Sequence, residues 1–235
     1  MIPDIFSAEW LYTASTWVLP VLLAVTLHEV AHGYVAALCG DPTARMLGRL
    51  SLNPLRHVDR MGTVILPGLL LLFKSPFLFG WAKPVPVDFR RLGSPRRDMV
   101  LVAAAGPASN LLMAAAAAFA LAGVLNADLF SRDITRWLGL NFVNALQFNC
   151  LLAVFNMIPL PPLDGGRVAV GVLPQALAAP LARLERFGMA LLIGVVMLLP
   201  LIGSQLGVNL NVLSWLIGPP VQALSGGLLS LAGLR

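Results

Sequence analysis

From Met99 to Val124 the chain runs without one ionisable side chain. As a helix that stretch is roughly 39 Å long at about 1.5 Å per residue, more than the ~30 Å hydrocarbon core of a bilayer. Residues 11–39, 137–157, 187–202 and 212–233 share its apolar character, apart from one motif in the first of them. Only 11% of the residues are charged and 58% are hydrophobic, whereas soluble domains carry about 25% charged residues. The expectation is an all-α membrane protein, a polytopic bundle of about five to six transmembrane helices. It is read as a single membrane-embedded domain over residues 1–235. Residues 61–73 are apolar but short, with Pro67 and Gly68 in their middle. They read as a re-entrant loop or β-hairpin after the first helix rather than a crossing. Pro20 predicts a kink in the first helix. Pro219 and Pro220 predict that the last apolar stretch is two short pieces.

The net charge of +5 would suit nucleic acid, but no nucleic-acid-binding motif is present. The basic residues sit instead in separate loops between apolar runs, the way membrane topology is written. Arg45, Arg49, Arg56 and Arg60 precede the short stretch; Lys74, Lys83, Arg90, Arg91, Arg96 and Arg97 follow it; Arg167, Arg183 and Arg186 follow the fourth span. If the short stretch does not cross, 13 of the 16 basic residues share one face. That face is cytoplasmic and the N-terminus is outside. The first apolar run is preceded by Asp4 and Glu9 rather than by basic residues, so a cleaved signal peptide is not expected. Cys39 and Cys150 have no metal or disulfide spacing and read as packed free thiols.

The motif inside the first span is His28-Glu29-Val30-Ala31-His32. Residues four apart lie on one helical face, so both imidazoles can reach one ion. The glutamate beside them can take a proton from a water held there without being a ligand. Zinc accepts imidazole nitrogen and carboxylate oxygen, and a catalytic zinc keeps three protein ligands and one open position. Glu29 lies roughly 16 Å along the helix before Gly40, well inside the bilayer, where an ionisable group costs on the order of 3 kcal/mol. A chance match is the bland alternative, but the chain has only three histidines and two of them make this pattern.

Most of the eleven carboxylates do not qualify as a third ligand. Asp4, Glu9, Asp128 and Asp133 fall on the outer side. Asp41, Asp59, Asp88, Asp98 and Glu185 sit in or beside basic loops, where they are expected to offset arginines. Asp164 differs: it follows FNMIPLPPLDGGR, Phe155 to Arg167, directly after an apolar helix. Pro159, Pro161 and Pro162 end that helix, and Gly165 and Gly166 permit a tight approach to a neighbour. Irregular backbone at membrane depth survives where it is buried in protein or lines a wet cavity. The residues alone leave a surface turn and a ligand-bearing turn equally open.

HEVAHGY together with FNMIPLPPLDGGR resembles the site-2 protease family of intramembrane zinc metalloproteases. GDPTARMLGRLSLNPLRHVDRMGT, GWAKPVPVD and AAAGPASNLLMA point to its compact prokaryotic branch without a PDZ domain. The similarity covers about residues 20–170; residues 187–233 match only as generic transmembrane helices. The resemblance implies one Zn²⁺ per chain on His28, His32 and Asp164, with Glu29 as general base. It implies a catalytic role for Asn156, as a donor to substrate backbone or the developing oxyanion; a helix-end cap or an interhelical hydrogen bond is the other reading. His57 matches a histidine of the branch, either an auxiliary donor at the site or a solvated loop residue. Arg60 departs from the pattern of the branch, which usually has proline there. Residues 80–91 read as an edge strand near the cleft that pairs with an unwound substrate, or as a linker anchored by Trp81 at the interface. Gly106 to Asn110, GPASN, reads as close helix packing with Asn110 as a polar contact.

The implied activity is hydrolysis of a peptide bond in or near a transmembrane segment of another protein. The enzyme would be a multi-pass protein of the inner (cytoplasmic) membrane whose site opens to the cytoplasmic side. Its partners would be the lipid bilayer and a membrane-protein substrate, with no nucleic acid; nothing in the sequence speaks to oligomeric state. The rivals are a membrane metal-ion transporter and a catalytically silent binding protein of the same fold. The first is disfavoured because residues 187–202 and 212–233 hold no ionisable group. The second is disfavoured because pure binding has no use for Glu29.

Overall fold

The computed structural model describes residues 7–72, 80–127 and 129–234. Asp4, Phe73, Lys74, Asp128 and Arg235, which figure in the assignments above, lie outside them. Helix α1 (Ala8–Leu38) starts where Ser7 Oγ accepts the Trp10 N–H at 3.1 Å, with Glu9 in its first turn facing the positive end of the helix dipole. It continues as one helix through Pro20. It stops at Gly40, whose φ of 105° favours glycine. There the Gly40 and Asp41 N–H groups close onto the carbonyls of Ala37 and Ala36 at 3.3 and 2.9 Å, a left-handed C-cap.

A short α2 (Thr43–Met46) and a 3₁₀ turn (Pro54–His57) lead to a π-helical turn, Arg60–Ile65, that runs straight into α3 (Leu66–Leu72). The segment expected as a re-entrant loop or hairpin is therefore helical over its described residues. The reason is local: Asp59 Oδ1 accepts the N–H groups of Met61 and Gly62 at 3.0 and 2.7 Å, a helix cap that a strand pair would not use. Among the described residues there is no β-strand.

Helices α4 (Pro95–Asn126) and α5 (Arg132–Asn156) pack on α1 and on each other. Side-chain bonds fix their directions. Asn110 and Val102 of α4 meet Ala24 and His32 of α1 respectively, so α1 and α4 are antiparallel. Trp137 Nε1 donates to Ser15 Oγ at 2.9 Å and Asn144 Nδ2 to Thr16 Oγ1 at 3.0 Å. With Asn149 further along α5 reaching the Ala24 level through Asn110, α1 and α5 run the same way. Then come α6 (Asp164–Val172), α7 (Gln175–Arg183) and α8 (Glu185–Ile193), which passes through a π turn (Gly194–Leu198) into α9 (Leu199–Gln205). Last is α10 (Val212–Leu231).

Five helical stretches among the described residues are long and apolar enough to cross a membrane: α1, α4, α5, Glu185–Gln205 and α10. The last is continuous through Pro219 and Pro220, against the expectation of two pieces. Carbonyls in hydrocarbon have no water to turn to, so flanking turns on both sides hold the helix through two missing donors. Ala114, Ala117 and Ala118 of α4 with Leu146 and Cys150 of α5 form a buried cluster against which Val221 and Leu228 of α10 pack. Small residues there let the backbones approach closely, which is how membrane helices associate.

Candidate metal centre

His28 and His32 stand one turn apart on α1 with their Nε2 atoms 3.0 Å from each other. Asp164 Oδ2 lies 3.2 and 3.3 Å from those same atoms. What brings it there is the turn between α5 and α6. Methyl groups at Gly165 and Gly166 would lie 2.3 Å from the Met157 carbonyl oxygen and the Pro161 nitrogen, and one at Gly188 of α8 would lie 2.2 Å from the Pro161 oxygen. Only glycine lets the first turn of α6 and the face of α8 close on the proline-rich chain. Asp164 is thereby set at the first helical position, facing α1.

The other ring nitrogens decide which atoms face inward. His32 Nδ1 lies 2.7 Å from the Val102 carbonyl; a carbonyl only accepts, so Nδ1 carries the hydrogen and Nε2 a lone pair. His28 Nδ1 lies 2.6 Å from Asn110 Oδ1, with the same consequence. Two lone pairs and a carboxylate oxygen thus converge, and Asp164 Oδ2 is buried without a hydrogen-bond donor. Three electron-rich atoms this close repel one another unless a cation sits among them. Two imidazoles and a carboxylate form the donor set of a catalytic zinc, so the residues fit the ion. Room for it comes from α4, where a methyl on Gly106 would lie 2.4 Å from His32 Nε2. The close packing expected at Gly106 and the polar contact expected of Asn110 are both present, and both fall on the histidines. Their spacing of four, one face of one helix, was the available signal.

Glu29 is placed beside the histidines, and its Oε2 accepts the Val85 N–H at 2.7 Å. Val85 belongs to residues 80–88, which form neither helix nor strand, against the expectation of an edge strand. Trp81 N–H bonds to the Gly62 carbonyl at 3.1 Å, Lys83 N–H to the His57 carbonyl at 2.8 Å, and Asp88 N–H to Asp41 Oδ2 at 2.7 Å. The Trp81 ring packs against Gly62, where an added methyl would come within 2.4 Å. The segment forms one wall of a cleft of about 340 Å³ that is also lined by His28, Glu29, His32, Asn156, Asp164 and apolar side chains including Phe155 and Leu192.

Asn156 lines this cleft while its amide donates to the Leu152 carbonyl one turn back at 3.1 Å. His57 is not among the cleft-lining residues. Its ring is buried rather than solvated, with Nε2 donating to the Ser51 carbonyl at 2.8 Å. Of the loop carboxylates, Asp88 does sit 3.4 Å from Arg90 and Arg91, and Glu185 3.3 Å from Arg167. Asp41, Asp59 and Asp98 instead accept backbone N–H groups. Burial pushes the Asp41 carboxyl up. The Thr43 hydroxyl and the Asp88 and Thr43 amides outweigh that, and with Arg91 they hold it below the usual carboxylate range.

The chain is 39% identical over 176 residues, 73% of its own length and 75% of the relative's, to the Bacillus subtilis protein named "Putative zinc metalloprotease YwhC". The similarly described Rip2 proteins of Mycolicibacterium smegmatis and Mycobacterium tuberculosis share 31% and 34% identity over 61% of this chain. The chain covers about half, 52%, of their length. No family model and no solved structure matches. On the YwhC relationship, and with a site whose donor atoms suit zinc, this chain belongs to the site-2 protease family of zinc metalloproteases.

Proposed function

We propose that this protein is an intramembrane zinc endopeptidase that cleaves transmembrane segments of other proteins. One observation carries the reading: three acceptor atoms converge within hydrogen-bond range of each other, with a carboxylate beside them, in one apolar-walled cleft of a membrane bundle. His28 Nε2, His32 Nε2 and Asp164 Oδ2 would hold the ion. When bound, zinc supplies Lewis acidity, polarising a peptide carbonyl and making water acidic enough to surrender a proton near neutrality.

The remaining steps belong to the chain. Glu29 has Oε2 engaged by the Val85 N–H, so Oε1 takes the proton from the attacking water and later hands it to the leaving amine. An amide has two N–H donors; Asn156 spends one on Leu152 and turns the other to the oxyanion that develops on the carbonyl. His57 acts at one remove. Its carbonyl holds Lys83, two residues before the Val85 amide that steadies Glu29. The substrate enters locally unwound beside residues 80–88, where Pro84 and Pro86 offer carbonyl acceptors but no N–H. The cleft opens toward the face that carries the basic loops, the cytoplasmic side of the inner membrane.

The test is Glu29→Gln in purified protein reconstituted with single-span substrates. Cleavage is expected to fall by about 10²–10⁴-fold, the usual worth of a positioned acid–base group, with zinc retained at one per chain. Cleavage that survives the substitution, or wild-type protein that binds no stoichiometric zinc, sinks the proposal. Metal flux unaffected by Glu29→Gln, with no proteolysis by either form, would support the transporter instead.

A further inference from the structure

Asparagine is costly inside a membrane helix unless every amide group is satisfied. Asn110 of α4 and Asn149 of α5 are 0% and 2% exposed, and their bonds form one directed chain. Asn149 Nδ2 lies 2.8 Å from the Ala145 carbonyl, so that end is the donor. Asn149 Oδ1 therefore accepts, and Asn110 Nδ2 donates to it at 2.8 Å. The same Nδ2 group reaches the Ala24 carbonyl at 3.3 Å. Asn110 is thus fixed with its oxygen toward His28, 2.6 Å from Nδ1. Backbone carbonyls at both anchors admit no flipped arrangement, because a flip would set oxygen against oxygen at Ala145 and Ala24.

We propose that Asn110 and Asn149 are positioning residues that lock the His28 ring, through a relay across three membrane helices, in the form whose Nε2 lone pair faces the metal. Asn110 touches the ligand and Asn149 orients Asn110. Neither reaches the cleft, so neither meets substrate. His32 obtains the same service from a backbone carbonyl, Val102. His28 lies where α4 presents a side chain rather than a carbonyl, and so depends on an amide that must itself be oriented. The inference rests on the proposed zinc ligation by His28.

The experiment compares Asn110→Leu, Asn110→Asp and Asn149→Leu in the full chain in detergent, measuring zinc affinity by chelator competition and folding by thermal melting. Leucine removes both arms of the amide. Aspartate keeps the acceptor that His28 needs and loses the donors to Asn149 and Ala24. The relay predicts that Asn110→Leu weakens zinc binding by about 10–100-fold, as loss of a ligand's outer partner does. Asn110→Asp stays within about threefold of wild type, since a carboxylate serves the same imidazole N–H. Asn149→Leu, which leaves Asn110 tied to Ala24, falls between, and it serves as the readout if Asn110→Leu does not fold. Equal losses for Asn110→Leu and Asn110→Asp would show that the amides only glue helices and would overturn the relay. Wild-type affinity in all three would do the same. Failure of the wild type itself to bind zinc would fall on the ligand assignment instead.

Discussion

A methyl group added at Gly106 of α4 would lie 2.4 Å from His32 Nε2, while one added at Gly226 of α10 would meet nothing within 4 Å. The two helices cross the same membrane under different rules. In α4, 33% of the best membrane window is buried inside the protein; in α10 the share is 11%. Around the site, α1, α4 and α5 are held by close approach and by buried polar bonds such as those of Asn110, Asn149 and Thr16. The final helix is held mainly by being apolar and long enough. The first kind of helix constrains individual residues, whereas the second constrains only composition. Substitutions should therefore separate the two.

The largest effect is expected from Gly106→Ala. Overpacking a tight site costs ~1–3 kcal/mol, and here the neighbours are ring atoms fixed by Val102 and Asn110 rather than the ends of flexible chains. The strain falls on the metal ligands themselves. At about 1.4 kcal/mol per factor of ten, zinc affinity should drop by up to about 100-fold, read by chelator competition. Unchanged affinity with a lowered melting midpoint would mean that α4 yields as a whole, and that close approach is not what shapes the site.

The same contrast explains what the sequence could and could not tell. Span positions follow from hydropathy, which is additive along the chain, so all five were legible. The His28–His32 pair was legible because helical spacing alone puts both rings on one face. Asp164 needed the fold: the residues left it open until Gly165, Gly166 and Gly188 were seen closing on the proline turn. Gly106 was legible as close packing and Asn110 as a polar contact, but not that both meet the histidines, because those partners lie about 80 residues away, on another helix. Pro67 and Gly68 made residues 61–73 read as a re-entrant loop or hairpin, whereas the Asp59 carboxylate caps a helical turn there over the described residues. Pro219 and Pro220 misled because rules learned in water overstate what proline does to a helix in lipid.

Asp41 sharpens the comparison from a third side, the polar rim where α1 ends. It is fully buried and ties residues 80–88 to α1 through the Asp88 amide. Its folded-state pKa is lowered, so its contribution is present above the ordinary carboxylate pKa. That contribution is lost as pH falls through the lower folded value. Asp41→Asn should cost about 1.5–3 kcal/mol near neutrality, the range for hydrogen bonds to a charged group. It should also flatten the loss of stability below about pH 4, where an unfolded Asp begins to take up protons. Melting midpoints of both proteins in detergent between neutral and acid pH check this. Parallel curves would show that the acid sensitivity lies elsewhere.

The smallest effect is expected at Gly226→Ala. Gly226 is exposed in the interior of α10 with no neighbour on its Cβ side. Alanine there restricts the unfolded chain and favours the helix by at most about 1 kcal/mol, so the melting midpoint should hold or rise slightly. Zinc affinity and cleavage rate should not move, because the surface that meets the site helices is built from Val221, Leu228 and their neighbours rather than from the glycines. A fall in zinc affinity on adding this one methyl would mean that α10 transmits packing to the metal through the Ala114–Leu146 cluster. The division between residue-specified and composition-specified helices would then have to be drawn beyond α10 rather than before it.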